Sequence, residues 1–160
     1  MRKIYRGRRR PGGFTLIELM AVIAVIGVLA MIAIPSFMEA VRKGRRSDAF
    51  TALSAVQQAQ ERWRGNRSSY TDSLTPRPSD DPPGLGLPAT SANGYYAITI
   101  DAADAAGYTA TAAAVAGTTQ AADGNCRRLR VRVTGGNIAY GSSDGAGDFD
   151  ESGSNRCWAR

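Results

Sequence analysis

The chain has 160 residues, a formal net charge of +6, two cysteines and no histidine, which bounds it to one modest domain with a small core. Lacking histidine, it lacks the commonest general base and the commonest metal ligand; with no metal cluster or nucleophile motif either, an enzyme is not expected and no cofactor is called for. Arg2, Lys3, Arg6, Arg8, Arg9 and Arg10 supply six of the 20 cations, and beyond them 14 cations face 14 acids, so the basic balance belongs to the N-terminus and is not evidence for nucleic acid.

Residues 1–13 are short and basic and end Pro11-Gly12-Gly13. From Phe14 to Ile34 the 21 residues carry one charge, Glu18. At about 1.5 Å per residue this run is roughly 30 Å long, one hydrocarbon thickness. A secretory signal has a shorter apolar region with its cleavage site after it, whereas here the break in character comes before the apolar run. The flanking Lys and Arg place the leader in the cytoplasm and the C-terminal part on the far side. A carboxylate at membrane depth costs on the order of 3 kcal/mol or more, so Glu18 needs a partner.

The stretch Gly13-Phe14-Thr15-Leu16-Ile17-Glu18-Leu19-Met20 resembles the processing site of type IV prepilins. The resemblance implies that a prepilin peptidase cuts between Gly13 and Phe14, that Phe14 becomes the N-methylated first residue, and that Glu18 directs assembly by pairing with the amine of a neighbouring subunit. It implies further a pilin fold of α+β class, in which a long N-terminal α-helix packs on a small antiparallel four-stranded β-sheet. Three segments follow: a leader (1–13), a transmembrane and filament-core helix (14–40), and an exported globular domain (41–160). Before assembly the protein would sit in the inner membrane, its domain in the periplasm, and afterwards in an extracellular filament of pilin subunits.

Gly27 and Pro35 interrupt the apolar pattern, and proline removes a helical hydrogen bond and crowds the preceding turn. A simple kink is expected there, or the local melting that pilins show in the filament. Beyond Pro35 the pattern turns amphipathic, with Phe50, Leu53, Val56 and Trp63 on one face and Gln57, Gln60, Glu61 and Arg64 among the polar remainder. The helix is expected to stop near Arg64, at Gly65-Asn66. The cluster Arg42-Lys43-Gly44-Arg45-Arg46 is expected to face lipid headgroups or neighbouring subunits.

Residues 65–94 are rich in Ser, Pro, Gly and Asp, including Thr75-Pro76-Arg77-Pro78 and Asp80-Asp81-Pro82-Pro83-Gly84, and read as a loop. Four strand-like runs follow within 95–140: Tyr95 to Ile100, Tyr108 to Ala114, Arg127 to Thr134 and Asn137 to Tyr140, the last two flanking a Gly135-Gly136 hairpin turn. Sequential antiparallel pairing is the economical topology. Alternation puts Leu129, Val131 and Val133 on the face toward the helix and Arg128, Arg130 and Arg132 on the other. Those arginines, about 7 Å apart, read either as a solvated face near Asp144, Asp148, Asp150 and Glu151 or as candidate DNA contacts. The solvated face is favoured, because from Asp48 onward 10 cations meet 12 acids and any attraction to DNA is local.

Cys126 and Cys157, both in the exported portion, are expected to form a disulfide bounding a C-terminal loop, 126–157. Within it Asp144, Asp148, Asp150 and Glu151 form an acidic surface loop, with calcium binding as the alternative. The pattern from Asn93-Gly94-Tyr95-Tyr96 through Asn125-Cys126 to Cys157-Trp158 is similar to a pilin subfamily containing PilE-like minor pilins and DNA-uptake receptor pilins. That resemblance implies a minor-pilin-like structural subunit of a type IV pilus supporting adhesion, twitching motility or DNA uptake. The alternatives are a DNA-binding receptor pilin and a type II secretion pseudopilin.

Overall fold

The computed structural model describes residues 13–75, 84–145 and 147–158; nearly all of the basic leader and the proline-rich segment 76–83 lie outside them. The chain divides into two units, Met1–Met38 and Glu39–Arg160. One helix, α1 (Leu16–Arg64), contributes to both. In the first unit its apolar side chains are exposed, and this helix is long and apolar enough to cross a membrane. Neither Gly27 nor Pro35 divides α1 in the single chain. One missing hydrogen bond, worth about 3 kcal/mol with its steric strain, does not unwind a helix carried by good formers on both sides. The helix stops where expected, as Gly65 N–H donates to Glu61 O (3.0 Å) and Asn66 N–H to Trp63 O (3.2 Å).

In the second unit, β1 (Tyr96–Ala103), β2 (Gly107–Ala114), β3 (Arg128–Thr134) and β4 (Asn137–Ser143) form an antiparallel sheet in the order β1-β2-β3-β4, the sequential meander expected. The β3–β4 turn uses Gly135 and Gly136 at φ +56° and +83°, the double left-handed conformation of a type I′ two-residue hairpin. Gly107 opens β2 under a tighter constraint, because an added Cβ would lie 1.8 Å from Val133 O.

The core lies between the sheet and the second part of α1. Leu53 and Val56 pack with Leu129, Val131, Val133, Tyr96, Ile98 and Tyr108, so the predicted alternation in β3 holds. Trp63, expected on that face, is outside the core and stacks instead under the Arg67 guanidinium, 3.7 Å from the ring centroid. Gln60, read as surface, is fully buried. Its amide accepts from Thr71 N–H (3.2 Å) and donates to Thr71 O (2.6 Å), which ties the loop after α1 to the helix.

Two members of the basic cluster of α1, Arg45 and Arg46, turn to the chain's own C-terminal unit rather than outward. Arg46 forms a two-pronged pair with Asp123, both contacts at 2.7 Å. The hydrogen bond to Asp123 raises the Arg46 pKa against the opposing effect of burial. Arg45 reaches Thr119 and lies over the Tyr95 ring (4.7 Å). Both side chains therefore hold the segment 115–126 to the helix, because a desolvated guanidinium is stable only when paired.

Candidate functional site

Three regions carry the candidate residues. At the N-terminus, Gly13 and Phe14 are exposed and non-helical, so the bond between them precedes the helix. Thr15 is the N-cap of α1 and Glu18 its third helical residue. Glu18 Oε2 accepts from Thr15 N–H (3.3 Å) and Thr15 Oγ1 (3.1 Å), while Thr15 Oγ1 accepts from Glu18 N–H (3.3 Å). This reciprocal arrangement is a capping box, and it satisfies helix-end amides that otherwise have no acceptor. In the single chain Glu18 thus has a local partner beyond those expected for it, one that the spacing Thr15-x-x-Glu18 signals.

The second region is the arginine stripe on the sheet face opposite the core. It is covered by a clasp from the C-terminal loop. Arg130 Nη2 donates to Glu151 Oε1 (2.5 Å) and Arg132 Nη2 to Glu151 Oε2. The Phe149 ring lies 4.9 Å from the Arg128 guanidinium and 3.9 Å from that of Arg130. Small residues make room for the clasp: Arg130 is paired in register with Gly141 and Arg132 with Ala139. A Cβ at Gly141 would sit 3.0 Å from Glu151 Cγ and 3.2 Å from Phe149 Cβ. Burial opposes ionisation of Glu151, yet hydrogen bonds from Arg132 and Arg130 outweigh it and hold its pKa below the usual glutamate value. The clasp is therefore at full strength above the unfolded glutamate pKa and is lost as pH falls through the lower folded value. Arg132 keeps 47% of its side chain exposed and Arg130 22%.

The third region is the C-terminal loop itself. Cys126 and Cys157 are joined as expected, with Cα atoms 5.5 Å apart. Trp158 packs between Phe50 and Tyr140, each ring centroid 4.8 Å away, and its indole N–H donates to Gly141 O (2.7 Å). The four loop carboxylates do not converge. Glu151 is turned to the arginines, Asp150 accepts from Ser152 N–H (2.9 Å), and Asp144 accepts from Gly147 N–H (3.3 Å). Among the described residues no group of three or more His, Cys, Asp or Glu side chains is placed to hold a metal ion.

Comparison with known families adds to this geometry. Residues 8–34 match the profile of the prokaryotic N-terminal methylation motif, which places the Gly13–Phe14 bond, Glu18 and the apolar span in one recognised signal. Residues 35–130 match the profile described as type IV minor pilin ComP, DNA uptake sequence receptor. No curated protein matches the chain. The second profile covers more than half the sequence, from Pro35 through the core-forming part of α1 into β3, and the first covers the membrane-anchoring segment ahead of it. The chain, a long N-terminal helix joined to a four-stranded antiparallel sheet, belongs to the type IV minor pilin ComP family.

Proposed function

We propose that this minor pilin works in DNA uptake, as a filament subunit whose C-terminal unit contacts DNA. The observation that carries the reading is the joint match of an N-terminal methylation motif and a DNA-uptake-receptor pilin profile along one uninterrupted stretch of chain. The leader remains cytoplasmic, prepilin peptidase cuts between Gly13 and Phe14, and Phe14 is N-methylated. The C-terminal unit then stands outside the inner membrane until the helix leaves the bilayer and is covered by neighbouring pilin subunits. Local melting between Gly27 and Pro35 belongs to that packed state, where neighbours can satisfy the freed backbone groups.

For DNA contact the arginine stripe supplies phosphate-binding groups without a strong overall field, which suits a receptor that holds DNA by local contacts. Arg132, the more exposed of the two arginines that Glu151 holds, is the leading contact residue. The chain from Phe14 onward retains every described element. In non-ionic detergent it is expected to bind a short duplex with an affinity that falls steeply as salt rises. Arg132→Ala should weaken binding roughly threefold to tenfold and reduce the logarithmic salt slope by about one. No measurable binding at low salt would remove DNA contact from this account.

A further inference from the structure

This inference rests on the DNA reading: we propose that Glu151 is a built-in counter-anion, occupying the place between Arg130 and Arg132 that a backbone phosphate takes when DNA binds. The C-terminal loop then sets the salt and affinity threshold of capture by competing for the same guanidinium groups. The ligand class is a phosphodiester backbone, and the site is one that Glu151 fills in the free protein.

The geometry supports exchange of one anion for another. Two guanidiniums from alternate strand positions converge on the two oxygens of one carboxylate, the arrangement by which a phosphate bridges arginines through its free oxygens. The fork is not saturated, since Arg130 Nε is buried without a hydrogen-bond partner. Phe149 lies over Arg128 and Arg130 and holds their planes in place. Displacing Glu151 would therefore leave oriented donors behind.

The counter-anion is anchored by the fold. Asp150 pairs with Ser142 through two backbone hydrogen bonds, at 2.8 and 3.1 Å, and so delivers the next residue, Glu151, to the stripe. Asn155 donates to Asp150 O (2.5 Å) and joins the Ser142 hydroxyl (3.1 Å). Gly141, lacking a Cβ, lets Phe149 and Glu151 approach the sheet. The clasp residues Phe149 and Glu151 lie beyond the matched profile, which ends at Arg130.

The test compares the chain from Phe14 with its Glu151→Gln variant, in non-ionic detergent, by fluorescence anisotropy with a labelled duplex of about 20 base pairs across a salt series. Glutamine keeps the shape and removes the charge, so the variant should bind roughly tenfold more tightly near 0.1 M salt, with a salt slope steeper by one to about two. Adding Arg132→Ala to Glu151→Gln should cancel most of that gain. If the parent binds with the expected salt dependence and Glu151→Gln binds no more tightly, the counter-anion idea is overturned while the DNA reading stands. If neither binds at low salt, both fall. Should circular dichroism show that Glu151→Gln does not fold, Gly141→Ala decides. Its Cβ, 3.0 Å from Glu151 Cγ and 3.2 Å from Phe149 Cβ, shifts the clasp by a few tenths of an ångström and loosens its hold on the arginines without changing any charge; tighter binding supports the proposal and unchanged or weaker binding overturns it.

Discussion

Glu18→Ala is expected to yield a membrane-inserted protein, shortened at Gly13, that is lost from filaments. In the single chain Glu18 closes the capping box with Thr15, a contact that orients its carboxylate toward the start of the helix. Cleavage before Phe14 would create an amine one residue from that cap. When such helices pack together, an amine left without its carboxylate in an apolar interior costs about 3 kcal/mol or more, which corresponds to a loss of incorporation on the order of a hundredfold. Glu18→Gln separates the two roles, since glutamine can close a capping box but cannot neutralise an amine. Immunoblots of sheared filaments and of membranes read both variants. Both variants should be absent from filaments and present in membranes; normal incorporation of Glu18→Gln would reduce Glu18 to a helix cap.

Replacing both cysteines, Cys126→Ala with Cys157→Ala, should lower the stability of the C-terminal unit by about 4 kcal/mol. The bond closes a loop with a sequence separation of 31, and the chain-entropy model assigns a loop of that length roughly 3.7 kcal/mol. A domain of this size would lose about 15 °C in Tm. The bond also holds the turn that carries Trp158 between Phe50 and Tyr140, so near-ultraviolet circular dichroism should lose its aromatic signal at the lower temperature. A shift below about 3 °C would mean that the Asn155 hydrogen bonds and Trp158 packing hold the loop unaided.

What could be read in the sequence was whatever repeats at short range. The two-residue alternation of Leu129, Val131 and Val133 placed β3 correctly, and Gly135-Gly136 marked its hairpin because only glycine enters two successive left-handed positions without cost. The N-terminal motif was legible for the same reason, being a fixed local spacing. The contacts that escaped are long-range pairings between groups which look like ordinary surface residues one at a time. Arg46 meets Asp123 across 77 positions, and Phe149 comes to Arg128 and Arg130 by a return of the chain that periodicity does not encode, whereas Glu151 is among the acidic residues expected beside the stripe. The helix pattern could not show that Gln60 turns inward, because its partner is a backbone amide in a loop. Hydrophobicity alone ranks Trp63 with Leu53, whereas Arg67 supplies it with a cationic partner outside the core. The Thr15–Glu18 cap is local and readable in Thr15-x-x-Glu18, but the same carboxylate also reads as a charge at membrane depth, which points away from a cap.

The central claim, that this chain is processed and built into a filament, is tested most directly by mass spectrometry of sheared surface filaments. The predicted result is an N-terminal peptide that begins at Phe14 and carries one added methyl group on its amine. Filaments that lack the protein, together with membranes in which it keeps an intact Met1 terminus, would contradict it.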